Sequence, residues 1–300
     1  MHTTAFTAKG YLYHRMQGSP FRLSRLTLSV KLGYVMVDIH HHLLPGLDDG
    51  SPDLETSIAM ARMAAEDGIT HIVATPHANN RYRFDRERNE EMLEALRKNL
   101  VREDIQITLG SGCDFHLSYD NIQNARQHPR KYTLNGKQYL LIELPDHAIA
   151  PQIEDSFYDL RLAGMNLILT HPERNPTLQS HPERLRTWVQ QGMLLQVTTS
   201  SVLGQMGSVA EKMAHKLLSD RWVQFLATDA HNLTRRPPKM RAAYDVVAGK
   251  YGASYAQAIC MDNPLAAFEG RQLPPMEEPQ HLYEEAKPSF LQRLFGATSS

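Results

Sequence analysis

The chain has 300 residues, 32 Lys+Arg against 33 Asp+Glu, and 42% hydrophobic residues, enough for a real core in one large domain or two small ones. The even charge removes the basic surplus that a nucleic-acid partner requires, the apolar content excludes wholesale disorder, and no apolar run approaches the ~20 residues of a membrane span. Two cysteines, Cys113 and Cys260, cannot build a disulfide framework and fit a reducing, cytoplasmic compartment, whereas 15 histidines are a large store of metal ligands and acid/base groups.

Residues 1–35 hold five basic side chains and no acidic one. Arg22, Arg25 and Lys31 interrupt the apolar core that a secretory signal needs. An Arg-bearing, acid-free leader could mimic a transit peptide. The plainer reading is a disordered leader or an over-extended start, with Met36 as the functional beginning. From there short apolar runs alternate with helical stretches. The runs are Val35–His40, Ile69–Thr75, Ile105–Gly110, Tyr139–Leu144, Asn166–Thr170, Met193–Thr198 and Trp222–Thr228. Each is short and apolar on both faces, which predicts a buried parallel strand. Ser51-Pro52 is read as the cap and first turn of a helix burying Leu54, Ile58, Ala61 and Ala65, stopped by Gly68. His181-Pro182 opens another helix closed by Gly192, and Gln152–Ala163 ends at Gly164. Seven strands in about 240 residues suit an α/β barrel better than an open sheet. Residues 273–300 contain four prolines and four glutamates. They read as a flexible tail, with Ser289–Phe295 as a short docking helix for a partner or a second copy, which allows a homo-oligomer.

Polar residues collect at the strand ends: Asp38-Ile-His40-His-His42 with Asp48-Asp49-Gly50, Thr75-Pro-His77, Asp114-Phe-His116, Glu143, Thr170-His171-Pro-Glu-Arg174 and Thr228-Asp229-Ala-His231. Parallel strands point the same way, so their C-terminal ends share one face and these groups converge there. Period two places His40 and His42 on one side, and likewise Asp229 and His231, while His41 points away. A cluster of N and O donors without a thiolate favours Mn, Fe or Zn. A single strand-end histidine usually just caps a core. Six such ends buried together without cations would cost several kcal/mol per unpaired charge. Cys113 and Cys260 read as core packing and His71 as structural; the other histidines have no supporting context.

These residues resemble the PHP (polymerase and histidinol phosphatase) superfamily, and more closely its CpsB-type tyrosine-protein phosphatases of bacterial capsule and exopolysaccharide loci. The resemblance covers about 36–272. It rests on Asp-Ile-His-x-His, Leu-Pro-Gly-Leu-Asp-Asp-Gly, Thr-Pro-His77, Leu-Ile-Glu143, His171-Pro-Glu-Arg174 and Asp229-Ala-His231-Asn-Leu-x-x-Arg236-Pro-Pro. It implies a distorted (β/α)7 barrel with its active site at the C-terminal strand ends and a trinuclear, usually manganese-dependent, centre. His40, His42 and Asp229 with a bridging Asp114 would hold one ion. Asp114, Glu143 and His171 would hold a second, and Asp49, His77 and His231 a third. Arg174 and Arg236 match the arginines that hold the phosphate. The family typically has Glu where this chain has Asp114, so His116 could share that position; Asp48 reads as a supporting acid. Three divalent ions against four carboxylates leave a positive centre, suited to in-line attack of metal-bound hydroxide on a phosphomonoester. Phosphotyrosine, and a bacterial tyrosine kinase tail as the partner, follow from the resemblance alone. Arg81, Arg83, Arg86 and Arg88 could rim the site for an acidic tail, or form a solvated helix face with Asp85, Glu87 and Glu90. The alternatives are a small-phosphomonoester phosphatase such as a histidinol-phosphate phosphatase, an amidohydrolase with fewer ions, and a non-catalytic binding module.

Overall fold

The structure is a computed structural model that describes residues 35–145 and 149–283. The leader up to residue 34 and the docking helix expected at 289–295 lie outside the described residues, as do His2, His14 and His147. The strands are β1 (Met36–His41), β2 (Ile69–Ala74), β3 (His77–Ala78), β4 (Thr108–Ser111), β5 (Asp114–His116), β6 (Tyr139–Glu143), β7 (Asn166–Thr170), β8 (Leu194–Thr198) and β9 (Val223–Ala227). All pair in parallel, in the orders β1-β2-β4 and β3-β5-β6-β7-β8-β9.

Seven staves were expected and seven are present, but two of them are broken. Thr75-Pro76 separates β2 from β3, and Gly112-Cys113 separates β4 from β5. Proline has no N–H to give a ladder, so pairing is interrupted where Pro76 stands. Two bonds carry the pairing across the break: Gly112 N–H donates to the Ala74 carbonyl (2.9 Å) and Asp114 N–H to that of Pro76 (3.1 Å). Gly112 is required there because a Cβ would stand 2.7 Å from Leu134 and 3.1 Å from Val73. At the other seam, Asp229 N–H donates to the His40 carbonyl and His42 N–H to the Ala230 carbonyl, both at 2.9 Å. These bonds tie the end of β1 to the segment that follows β9.

The helices are α1 (Leu54–Asp67), α2 (Arg86–Arg102), α3 (Tyr119–Gln127), α4 (Ile153–Leu162), α5 (Pro176–Ser180), α6 (Pro182–Gln190), α7 (Thr199–Val202), α8 (Ser208–Ser219), α9 (Arg241–Tyr251), α10 (Ala253–Gln257) and α11 (Asn263–Glu269), with a π turn at Ala258–Asp262. The start of α1 corrects the sequence reading. Asp53, not Ser51, is the cap, and its carboxylate accepts from Thr56 N–H. Ser51 is buried and its hydroxyl bonds the Asp53 carbonyl instead. The buried face is Ser57, Met60, Ala61 and Ala64, while Leu54 is exposed. Gly68 does close the helix in the left-handed conformation, as expected. Two apolar clusters hold the layers together. One is drawn mainly from the strands and includes Val37, Ile39, Leu141, Ile168 and Phe225. The other packs the helices on the sheet through Met60, Leu93, Phe157 and Trp188. Cys113, Cys260 and the π turn are buried in that second cluster. Among the described residues no helix is long and apolar enough to cross a membrane.

Candidate metal centre

The strand ends converge. Four groups of donor atoms lie within 4.8 Å of one another: His42, Asp49, His77 and His231; His40, His42 and Asp229; His40, Asp114 and His171; and His77, Asp114 and Glu143. All nine residues named from the sequence as ligands fall in at least one group. Two ligands sharing one ion at about 2.0–2.2 Å stand roughly 3–3.6 Å apart. The donors here stand close to that spacing, 3.1–3.7 Å apart. His40 Nε2 lies 3.3 Å from Asp229 Oδ1 and 3.5 Å from Asp114 Oδ2. His42 Nε2 is 3.3 Å from Asp229 Oδ1, and His77 Nδ1 is 3.1 Å from Asp114 Oδ2. His171 Nε2 is 3.7 Å from Glu143 Oε1, and His231 Nε2 is 3.6 Å from Asp49 Oδ1.

Hydrogen bonds on the far side of three of the rings aim them inward. His40 Nδ1 bonds Gln196 Oε1 (2.9 Å), His42 Nδ1 bonds Asp48 Oδ2 (2.7 Å), and His231 Nδ1 bonds the Asp229 carbonyl (2.9 Å). Each acceptor fixes the proton on Nδ1 and leaves Nε2 facing the cluster. Asp48 also accepts from the N–H groups of Gly50 and His77, so it supports the centre from outside. Gly50 follows it for a steric reason: a Cβ there would lie 2.4 Å from both the carbonyl and Cβ of His42. His77 differs from these three. Its Nδ1 faces Asp114 and Glu143 and its Nε2 faces Asp49, 3.4 Å away, so it spans two groups. His116 lines the cavity but belongs to none of the groups. His41 is fully buried and outside them, with neither ring nitrogen partnered.

The backbone is bent to make this possible. His171 has φ 33° and Asp229 φ 53°, both left-handed in residues other than glycine. Such strain persists only where surroundings impose it, and it concentrates at functional sites. It also corrects the period-two argument for Asp229 and His231: β9 ends at Ala227, so a turn, not an extended strand, brings both side chains in. Glu173 pins the other turn. Its buried carboxylate accepts from the N–H (3.0 Å) and hydroxyl (2.9 Å) of Thr198, at the end of β8.

The charges explain what the donors lack. Burial opposes a charge on His40, but Asp229 and Asp114 outweigh it and hold the ring up at about 9. His42 and His77 are raised in the same way, by Asp48 and Asp114 respectively, against their burial. Hydrogen bonds from His231 and His77 hold Asp49 far below the carboxylate range. Burial, then His42, pushes His231 down to about 4. Opposite charges thus draw these rings and carboxylates together. The pairing is incomplete: both Asp114 oxygens, His77 Nδ1 and His231 Nε2 are buried without a directed hydrogen bond. Orphaned acceptors in an all-N/O donor set fit divalent cations.

Arg174 and Arg236 both donate to Asp229 Oδ2 and line the cavity, of about 370 Å³, that opens over the cluster. Of the four arginines proposed as a rim, only Arg81 lines this cavity. Arg86 is committed to Glu90 and to the carbonyls of Arg130 and Lys131, and Arg83 lines a separate pocket. Gln196, Glu173 and Tyr82 were not singled out from sequence. The end of β8 carries no His, Asp or Glu, so nothing marked Gln196, although period two with Thr198 places both on one face. Replacing Gln196 by Ala frees the His40 ring and is expected to lower metal affinity about 10–100-fold. Titration of the metal-free protein with Mn²⁺ measures this.

Residues 36–269 match the protein family described as capsular polysaccharide synthesis, CpsB/CapC. The chain belongs to this family. Tyrosine-protein phosphatase YwqE of Bacillus subtilis is 34% identical over 219 residues, which are 73% of this chain and 86% of YwqE. Tyrosine-protein phosphatase CpsB of Streptococcus pneumoniae is 28% identical over 76% of this chain and 96% of its own. A chain solved in work on B. subtilis YwqE and S. pneumoniae CpsB, described there as unique metal-dependent tyrosine phosphatases, superposes with a TM-score of 0.76 at 32% identity. It covers 82% of this chain and 98% of that one. The parallel α/β architecture found here agrees with that superposition.

Proposed function

We propose that this CpsB/CapC protein is a metal-dependent protein-tyrosine phosphatase acting on a bacterial tyrosine kinase in capsule or exopolysaccharide biosynthesis, in the cytoplasm. The observation that carries the reading is the meeting of nine N/O donors with two arginines, Arg174 and Arg236, at one cavity. Manganese is the proposed metal, in three sites: His40, His42, Asp229 and Asp114; Asp114, Glu143 and His171; and Asp49, His77 and His231. Divalent ions there supply Lewis acidity to the phosphoryl oxygens and to an attacking water. The chain's own groups do the rest. Arg174 and Arg236 lie beside the buried carboxylate of Asp229 and present fixed N–H donors for the equatorial oxygens of a phosphate dianion. Asp48 and Gln196 keep the rings of His42 and His40 in place. Both cysteines are buried and the thiol of Cys113 is pushed up by burial and by Asp114, so neither fits a nucleophile. A phenolate leaves more easily than an alkoxide, so an aryl ester asks less acid help of the centre.

Turnover of a phosphotyrosyl peptide and of histidinol phosphate, each with and without Mn²⁺, tests the reading. Manganese-dependent hydrolysis of the peptide, well above that of histidinol phosphate, is expected. The reverse preference would assign the chain to small-molecule phosphatases.

A further inference from the structure

The turn after β3 has a structural half and an idle half. Asn79 closes it: its Oδ1 accepts from the N–H groups of Arg81 and Tyr82, both at 2.9 Å, and its own N–H donates to the Tyr82 carbonyl (3.0 Å). Phe84 anchors it, buried against Tyr132 with ring centroids 5.2 Å apart. Tyr82 does neither. Its ring lines the mouth of the catalytic cavity, half-buried and nearly parallel to that of His77 (13°, centroids 6.0 Å apart). Among the described residues its hydroxyl has no hydrogen-bond partner. The Arg81 guanidinium sits 5.0 Å from the ring centroid and braces it. The cavity is otherwise polar: besides Tyr82, only Leu144 and Pro172 offer apolar surface.

A phosphate held by Arg174 and Arg236 must project its ester group out through this mouth. A half-buried aromatic wall there has little use for a phosphate or an alkyl alcohol, and it matches the flat face of an aryl group. We infer that Tyr82, braced by Arg81, is the specificity-determining residue that stacks on the aryl group of the substrate and selects aryl over alkyl phosphomonoesters. The inference rests on the phosphatase reading above.

Calorimetric binding of phenylphosphonate and of inorganic phosphate to the Mn²⁺-loaded full chain separates the two ideas without turnover. Tyr82→Ala is expected to weaken phenylphosphonate about ten-fold while inorganic phosphate stays within about two-fold. Tyr82→Phe, which keeps the ring, should bind both as wild type does. Equal weakening of both anions in Tyr82→Ala would indicate a merely structural role and overturn the inference. Unchanged phenylphosphonate affinity would overturn it too, as would a loss in Tyr82→Phe equal to that in Tyr82→Ala. Failure of the wild type to bind inorganic phosphate would instead remove the phosphatase reading, and the inference with it.

Discussion

Replacing Asp229 by Ala is expected to lower phosphatase turnover by on the order of a thousand-fold. Asp229 is the most connected group of the site. Its Oδ1 lies 3.3 Å from the Nε2 atoms of both His40 and His42, and its Oδ2 receives Arg174 and Arg236. It is 1% exposed, and His40 and Arg236 hold its carboxyl ionised against that burial. Removing it takes away a proposed metal donor and leaves the guanidinium groups of Arg174 and Arg236 without this partner. Asp229→Asn keeps the shape and the acceptor oxygen but loses the charge. A comparable loss in that variant, with an unchanged circular dichroism spectrum, assigns the effect to charge and not to collapse. Activity within ten-fold of wild type in both variants would contradict the role given to this carboxylate.

Chelation is expected to remove activity by at least about a hundred-fold and to destabilise the fold, with both restored by Mn²⁺. Cations bound only to the folded chain at a thousand times their dissociation constant stabilise it by about 4 kcal/mol. In a chain of this size that is about 10 °C in melting temperature. The stabilised region is the cluster itself, where the carboxylates of Asp49, Asp114, Glu143 and Asp229 face five imidazoles. A melting temperature indifferent to both chelator and Mn²⁺ would mean that the donors are already satisfied among themselves. The Asp114 oxygens, buried without a directed hydrogen bond, argue that they are not.

Much of this site was legible in the sequence because parallel strands write their geometry plainly. A run buried on both faces must be apolar, so a polar residue at its end stands out, and the shared direction of the strands gathers those ends. Asn166–Thr170 was read with its observed bounds, and the other strands came within a few residues. What stayed hidden depends on partners far along the chain. The break at Thr75-Pro76 was visible as a proline, but the matching break at Gly112 is set by Leu134 and Val73, which would clash with a side chain. The left-handed backbone of His171 and Asp229 has no local signal, since neither residue type demands it. Gln196 orients His40 from 156 positions away and is an ordinary strand residue until the sheet is assembled. Ser51 lost the capping role to Asp53 because burial and the carbonyl of Asp53 claimed its hydroxyl. The choice between Asp114 and His116 rested on one missing methylene. In the folded chain Asp114 is fully buried between His40 and His77, which favours it as the bridging donor.

The metal content of the purified full chain, reconstituted with Mn²⁺ and freed of loosely held ions, tests the central claim most directly. Plasma mass spectrometry is predicted to find about three ions per chain, because the donors sort into overlapping groups that share Asp114, His40, His42 and His77. One ion per chain or none would contradict a multinuclear centre at the strand ends.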